Sequence, residues 1–401
     1  MLKIVALLFA FLPLSINTSC YLPTGTSALT GSYDVSKNDN NVQPNLSVLT
    51  KNGKKKGKIQ VALLLDTSNS MDGLIDQAKS QIWKMVNRLA AAKKNDETSD
   101  IEIALFEYGN DNLEMGEGYI RMVNSLTSDV DAISEKLFAL KTRGGSEYCG
   151  WVIGDAVSNL KWSDDADDLK LIIIAGNEPF DQGPKDYRET CKSAFKKDIL
   201  INTVHCGPAQ EGVRTHWKDG ADIAKGKYLN IEQDRKIIHI RTPWDDRMYE
   251  LNGKLNRTYI GYGSTGKEMK VRQEKQDMNA AEYGSANVAS RTAYKAKIQY
   301  RNDSWDLVDA SEKNSDKIAN MKADELPEEM QKMSVSERKA YIEKLRKERN
   351  DARKEIQELE KKIAAYTAEE TLKQGDNLTL DKVMQDAVVE QAKDKGFVFE
   401  Q

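Results

Sequence analysis

Between residues 59 and 231, short apolar runs alternate with amphipathic segments along the chain. The runs 59–65 and 169–175 are almost wholly apolar, as strands covered on both faces of a parallel sheet should be. Segments with helical spacing separate such runs, for example 72–92 and 150–160. Alternation of strands and helices in this way predicts an α/β fold with a doubly wound, mostly parallel sheet.

The same patterns predict the remaining elements of this region. Strands are expected over 59–65, 101–108, 118–125 (an edge strand), 169–175, 199–205 and 227–231, and helices over 72–92, 129–140, 150–160, 186–197 and 217–224. Ligands of a doubly wound sheet bind beyond the carboxyl ends of its strands. Asp66 directly follows the first predicted strand, so we expect a binding site there.

After residue 240 the predicted structure is a mainly α-helical extension over 241–330, a long helix over 331–374 and a helical tail over 375–401. The long helix begins with a capping box, Ser334 to Glu337, and Gly375 is expected to end it. A heptad seam runs along it, formed by Ile342, Leu345, Arg349, Ala352, Ile356, Leu359, Ile363 and Tyr366. A self-associating coiled coil and a helix folded back on its own chain both fit this seam. Arg349 favours the second, because an unpaired buried charge is costly.

The N-terminus has the pattern of an export signal. One positive charge at Lys3, an apolar run over 4–14 and a polar stretch up to residue 19 predict a signal peptide over 1–19. The run is shorter than the ~20 residues that span a bilayer. Cys20 then predicts a lipid anchor in the membrane of the cell envelope, periplasmic or on the cell surface; ordinary cleavage to a soluble periplasmic protein is the alternative. Residues 20–57 are polar and Lys-rich at their end, which predicts a flexible tether.

Composition narrows the function classes. The 401 residues have a net charge of -4 with both signs mixed along the chain, so no nucleic-acid partner is expected. Cys149, Cys191 and Cys206 remain after Cys20; two of them could pair in an oxidising compartment, or all could be buried thiols.

Three polar segments follow predicted strands or precede predicted helices at one edge of the sheet. The first is Asp66-Thr-Ser68-Asn-Ser70, the second is Gly144-Gly-Ser146, and the third includes Asn177 after the strand 169–175. A carboxylate and hydroxyls at alternate positions can converge on a hard cation, which prefers oxygen ligands. Taken alone, the first segment also fits a helix cap at Ser70.

Together, these segments resemble the metal-ion-dependent adhesion site (MIDAS) of von Willebrand factor A-type domains, over about residues 58–232. The resemblance implies an A-type domain, here bounded at 58–240, that holds Mg²⁺ (or Mn²⁺ or Ca²⁺). Asp66, Ser68 and Ser70 match the family's ligands, Ser146 stands where the family has Thr, and Asn177 stands where it usually has Asp. Asn177 in place of Asp removes one negative charge but keeps an oxygen acceptor. Glu147, Glu178 and Asp181 lie close enough in sequence to supply the missing negative charge.

The resemblance implies that the ion captures a carboxylate from an Asp or Glu of a protein partner. It extends to bacterial exported A-domain proteins with a helical C-terminal extension. We therefore expect an exported, metal-dependent, adhesion-like protein-binding module of the bacterial cell envelope; a structural envelope protein with a vestigial metal site is the alternative.

An enzyme is not expected. The segment 261–267 falls short of a phosphate-binding P-loop, because Glu268 replaces the hydroxyl residue that would bind Mg²⁺. His205 and Cys206 are neighbours on one predicted strand and should point to opposite faces. A hydrolase is therefore the least favoured hypothesis.

Overall fold

A computed structural model describes residues 55–231, 240–314, 316–374 and 380–399. The expected signal peptide over 1–19, the lipidation site Cys20, most of the tether over 20–57 and the helix end at Gly375 lie outside the described residues. None of the described helices is long and apolar enough to cross a membrane.

The strands form one large and one small sheet. In chain order they are β1 Lys58–Asp66, β2 Ala92–Lys94, β3 Glu97–Thr98, β4 Asp100–Tyr108, β5 Ile120–Thr127, β6 Leu169–Gly176, β7 Leu200–Cys206, β8 Tyr228–Ile231 and β9 Val398–Phe399. The large sheet has the order β5-β4-β1-β6-β7-β8. All its neighbours are parallel except the edge strand β5, which is antiparallel to β4. The predicted doubly wound, mostly parallel α/β sheet is confirmed.

Helices surround this sheet and then continue as a separate run along the chain. The first group is α1 Asp72–Ala90, α2 Val130–Ala139, α3 Cys149–Asn159, α4 Tyr187–Lys196, α5 Ala209–Arg214 and α6 Trp217–Ile223. The second is α7 Asp245–Thr258, α8 Gly263–Glu282, α9 Ser285–Lys295, α10 Leu307–Lys313, α11 Lys317–Asn320, α12 Glu328–Gln331, α13 Val335–Gln374 and α14 Leu380–Asp394. The predicted helical extension is therefore confirmed.

The two faces of the large sheet have different coverings. On one face, side chains of α3, α4 and α6 pack against β1, β4 and β6 around Phe106, Ile172 and Trp217. On the other face, α1 and α2 pack against the sheet, and residues of α7, α9 and α13 join the same core. The extension therefore shares its core with the α/β sheet.

A buried network of charges fixes the extension to α2. The guanidinium group of Arg291 on α9 is fully buried, donates to Asp131 of α2 and lies 2.9 Å from the Asp277 carboxylate of α8. Lys295 donates to the other Asp277 oxygen at 2.8 Å. Burial would raise the pKa of Asp277, but the charges of Lys295 and Arg291 outweigh it and hold that pKa well below the usual range. Because every charge has an opposite partner, the network can be buried without leaving one uncompensated.

The long helix α13 folds back on its own chain. Its seam residues Ile342, Leu345, Ala352, Ile356 and Leu359 are buried in two cores of the same protein. The capping box is present, with the Glu337 amide donating to Ser334 Oγ at 3.3 Å and the Ser334 amide donating to Glu337 Oε2 at 2.7 Å.

The arginine in the seam explains why α13 folds back on its own chain and does not form a coiled coil. Arg349 is fully buried and donates to Asp306 and Asp309 of the region around α10, at 2.7 Å each. Its side chain also bonds the carbonyl oxygen of Thr258 at the end of α7. The partners that a coiled coil would have lacked are supplied from within the chain.

The C-terminal residues return to the large sheet. Helix α14 packs against α1 and β8, and the side-chain amides of Gln391 and Asn202 on β7 form two reciprocal hydrogen bonds of 2.8 Å. Strand β9 pairs with β2. The sequence analysis did not predict the short strands β2, β3 and β9 or the helix α5. Among these, only the β2–β3 hairpin had a recognisable sequence signal, the turn at Asn95 and Asp96, whose φ angles are 56° and 66°.

Ile356→Lys tests the folded-back helix. Ile356 is fully buried, and a charge without a partner in the core should lower the free energy of unfolding by several kcal/mol, at least the ~2–5 kcal/mol of a large-to-small core change. We expect a lower thermal midpoint and an unchanged mass in sedimentation. Lys361→Ala, at an exposed position of the same helix, should change neither. A wild-type oligomer that dissociates in the Ile356 variant would contradict the folded-back arrangement.

Candidate metal centre

The loop after β1 lies between two other loops because β1 lies between β4 and β6 in the sheet. The Thr67 amide donates to the Tyr108 carbonyl at the end of β4, at 2.8 Å. The Thr67 carbonyl accepts from the Arg143 amide at 2.8 Å, and the Asn69 amide donates to the Gly144 carbonyl at 3.1 Å. Backbone hydrogen bonds thus hold the first two predicted segments side by side.

Asp66 is a buried carboxylate with one unpaired oxygen. Its side chain is fully buried, and Oδ1 accepts from the Ser68 amide at 2.8 Å. Oδ2 is buried and has no hydrogen-bond partner. Two glycines make room for the carboxylate: a Cβ atom at Gly109 would lie 2.8 Å from Oδ1, and one at Gly176 would lie 2.9 Å from Oδ2. Any side chain at either position would collide with the carboxylate.

Hydroxyl and amide oxygens converge beside this carboxylate. The Oγ atoms of Ser68 and Ser70 lie 3.2 Å apart, and Ser70 Oγ donates to Asn177 Oδ1 at 3.3 Å. Ser146 lies in the loop that contacts Asn69, but within the described residues no hydrogen bond joins its hydroxyl to the other four. The structure therefore brings Asp66, Ser68, Ser70 and Asn177 together and leaves Ser146 beside them; their role as ligands stays a prediction.

The electrostatics of the site fit a missing positive charge. Burial raises the pKa of Asp66 to about 7, hydrogen bonds from Ser68 oppose this shift, and the charges of Glu147 and Glu178 add to it. Burial and then the charge of Glu178 raise the pKa of Glu147 as well. Two of the three carboxylates expected to compensate for Asn177 therefore act on Asp66. The third, Asp181, lies 3.7 Å from His216 instead.

These observations fit a hard divalent cation. The orphaned Asp66 oxygen, the two serine hydroxyls and the Asn177 amide oxygen are the donors that Mg²⁺, Mn²⁺ or Ca²⁺ prefers, and a bound cation would supply a Lewis-acidic position for one further oxygen. In the described part of the chain, no three His, Cys, Asp or Glu side chains cluster so as to hold a metal by themselves. A cation here would depend on the hydroxyls and the amide.

A second layer of residues supports the loop, and sequence reasoning did not find it. The hydroxyl of Tyr108 is buried and donates to the Ala175 carbonyl at 3.0 Å, which joins the ends of β4 and β6. Thr67 Oγ1 donates to the buried Glu107 carboxylate at 3.3 Å, and Glu107 pairs with Arg121. Glu107 and Tyr108 lie at the end of β4, whose polar and apolar residues alternate as in any strand, so no sequence signal marked them.

The candidate nucleophile and base do not meet. Cys206 belongs to the core on the α1 face of the sheet, whereas the His205 ring lies 5.8 Å from Trp217, which belongs to the opposite core. Cys149, Cys191 and Cys206 are all buried, and no disulfide joins any two of these three.

A scan against family models finds no match for this sequence, and a search of curated proteins finds none. Solved structures do match, over less than half of the chain. The VWA domain of SpRpn10 is 18% identical, with 43% of this chain and 87% of that chain covered and a TM-score of 0.34. The α/β sheet of this chain has the strand arrangement that its resemblance to A-type domains predicts.

Two further matches are similar in extent. The conserved hypothetical protein BatB from Bacteroides thetaiotaomicron is 16% identical, covering 43% of this chain and 90% of that one, with a TM-score of 0.33. Proximal thread matrix protein 1 from the mussel byssus, in a structure with a zinc-occupied MIDAS motif, is 14% identical over 45% of this chain and 43% of that one, with a TM-score of 0.34. At these TM-scores the likeness carries no conclusion about the site, whose chemistry depends on its own contacts.

Asp66→Asn tests the cation. In the wild type, Mg²⁺ or Mn²⁺ at ~100 times its dissociation constant should stabilise the fold by ~2.7 kcal/mol, measured as a shift of the thermal midpoint. The variant should lose this shift, because the amide removes the central negative charge while keeping the side chain's shape. A wild type without any cation-dependent shift would show that the site is vestigial.

Asn177→Asp tests the effect of adding a negative charge to the site. Restoring a carboxylate beside Ser70 should tighten cation binding, which isothermal titration or a thermal shift over a cation series measures. An unchanged affinity would mean that Glu147 and Glu178 already supply the compensating charge.

Proposed function

We propose that this protein is an exported, metal-dependent protein-binding module of the bacterial cell envelope, which captures an Asp or Glu carboxylate of a partner through a divalent ion. The observation behind this proposal is the line of contacts that runs from Asp66 through Ser68 and Ser70 to Asn177, beside a buried Asp66 Oδ2 that has no partner. A cation held mainly by neutral oxygens keeps a strong affinity for a further anionic ligand. A carboxylate from another protein provides that ligand.

The site is separated from the end of the tether by the length of β1. The chain enters β1 at Lys58 and leaves it at Asp66, and a strand of nine residues spans roughly 30 Å. The end of the tether and the site therefore lie at opposite edges of the large sheet. The point at which the tether joins the large sheet thus does not cover the metal-binding edge.

We infer a binding role and not catalysis, since the site supplies a cation and a ligand position but the histidine beside it, His205, is engaged by the backbone of Asn177 rather than available as a general base. His205, which is near the end of β7, is buried against Trp217. The structural alternative, an envelope protein with a vestigial site, is separated from the proposal by the cation measurements.

The partner is sought by crosslinking in envelope fractions of the organism that encodes the protein. The full chain is incubated with Mg²⁺ or with EDTA, and crosslinked species are compared by mass spectrometry. We expect a crosslinked protein that is lost with EDTA and in Ser70→Ala, which removes a proposed ligand at the exposed end of the loop. Ser193→Ala, an exposed serine on α4, is the control. Crosslinks equally strong with EDTA would exclude metal-dependent capture.

The lipid anchor has its own test. Cys20→Ser should move the protein from the membrane fraction to a soluble exported fraction, because the acylated thiol would be absent. Metabolic labelling with a fatty acid should mark the wild type and not the variant. An unlabelled wild type would contradict lipidation while leaving ordinary export and the metal site untouched.

A further inference from the structure

A buried lysine lies against two amide side chains and a carboxylate in the helical extension. The Nζ atom of Lys295 on α9, whose side chain is fully buried, lies 2.8 Å from Asn252 Oδ1 and 2.5 Å from Asn256 Oδ1, both on α7. It also lies 2.8 Å from Asp277 Oδ2 on α8. Three helices therefore bring an amine, two carboxamides and a carboxylate together. We term these four residues the lysine cluster.

The carboxylate of the lysine cluster bridges the amine and the two amide nitrogens. Asp277 Oδ2, which accepts from Lys295, also accepts from Asn256 Nδ2 at 2.7 Å and from Asn252 Nδ2 at 3.0 Å. These contacts orient both amides, with the carbonyl oxygen toward the lysine and the NH₂ group toward the carboxylate. One carboxylate oxygen thus lies where a proton can pass from the lysine nitrogen to an amide nitrogen.

The surroundings of Lys295 favour its neutral amine more than water does. Burial lowers the pKa of Lys295, Asp277 opposes this shift and the positive charge of Arg291 adds to it. A desolvated lysine amine is a nucleophile. Burial also acts to raise the pKa of Asp277, but the charges of Lys295 and Arg291 outweigh it. Asp277 is therefore an ionised carboxylate that can accept the proton of the lysine.

Asn256 is the better placed of the two amides to react. Its oxygen is the nearer one to Lys295 Nζ, and its nitrogen is the nearer one to Asp277. Asn256 is half-buried, whereas Asn252 is buried, so a group released from Asn256 can reach water. Asn252 instead positions the lysine by accepting a hydrogen bond from Nζ.

We propose that Lys295 and Asn256 form an intramolecular isopeptide bond, which joins α9 to α7 covalently. The Nζ atom bonds to Cγ of Asn256, and the Cγ–Nδ2 bond breaks. Two protons of the lysine ammonium group pass by way of Asp277 to the leaving nitrogen, which departs as an ammonium ion. Asp277 ends as the carboxylate that it was at the start, and no oxidant or other reagent is consumed.

The fold supplies what this reaction needs. Groups held in contact react as if they were present at very high concentration, and the packing of α7, α8 and α9 holds these groups in contact. Because Asp277 also stabilises the ammonium form of Lys295, the neutral amine is a minor species, and the bond forms slowly after folding. The bond closes a loop between two residues 39 positions apart. Such a cross-link restricts the unfolded chain as a disulfide does.

Tryptic digestion of the full wild-type chain tests the bond, since trypsin does not cut after an acylated lysine. Without the bond, trypsin cuts after Lys295. With the bond, residues 255–257 stay joined to residues 292–297, and the joined pair is lighter than its two peptides by one ammonia. We expect this species in the mass spectrum, in a fraction that rises while freshly folded protein is incubated. A link between residues 248–254 and 292–297 would overturn the assignment to Asn256, because it would place the bond at Asn252.

Two variants and a control separate the reaction from a purely structural lysine cluster. Asn256→Ala removes the reacting amide and should abolish the link. Asp277→Asn keeps the shape of the side chain but removes the proton acceptor, and should abolish the link as well. Asn159→Ala, at an exposed position of α3, should leave the linked fraction unchanged. Circular dichroism of each variant shows whether it is folded.

The wild-type digest decides the proposal even where a variant does not fold. Complete cleavage after Lys295 in wild-type protein incubated for days would overturn it, and so would a link of unchanged abundance in Asn256→Ala. A linked peptide pair in the wild type that is absent from Asn256→Ala and retained in Asn159→Ala establishes the bond.

Discussion

Burial of the Asp66 carboxylate is the constraint on which the site depends. Strand β1 has neighbours on both sides, so its last residue lies under the loops that follow β4 and β6. Only Gly109 and Gly176 leave room for the carboxylate there, and one of its oxygens is left without a hydrogen bond. A buried charge without a partner is costly and is avoided in proteins by protonation or by a counter-ion. A cation would remove that cost, so cation binding and local stability are coupled.

The helical extension helps to hold the metal-binding loop in place, through contacts with α2. Helix α2 leads into the loop that holds Gly144 against the metal-binding loop, and the amide of Asn110 fixes that loop through the Lys141 carbonyl at 2.8 Å. The beginning of α2 is held in turn by the buried pair of Arg291 and Asp131, with Ser134 donating to Gln276 of α8 at 2.8 Å. The extension therefore stabilises the position of α2. The second predicted ligand segment follows directly after this helix.

Local patterns predicted the local features of this molecule. The apolar runs gave the strands of the large sheet to within about two residues, and the spacing of Asp66, Ser68 and Ser70 located the loop, because both depend on neighbours in sequence. The partners of Arg349 could not be predicted, since Asp306 and Asp309 lie 43 and 40 residues away and heptad spacing does not say what covers a seam. The return of α14 to the sheet was missed for the same reason: the hydrogen bonds between Asn202 and Gln391 span 189 residues.

The amide at position 177 fits a site that binds its cation. Ser70 donates to Asn177 Oδ1, so the oxygen of this amide, as assigned from the hydrogen bond, faces the predicted ligands. Asp66 and Glu147 already have raised pKa values, both because they are buried and because each is close to other carboxylates. A further carboxylate at position 177 would increase that repulsion whenever the cation is absent. The amide thus offers an oxygen to the cation and reduces the electrostatic repulsion in the cation-free state. The negative charge that is absent at position 177 would be supplied by the carboxylate of a partner.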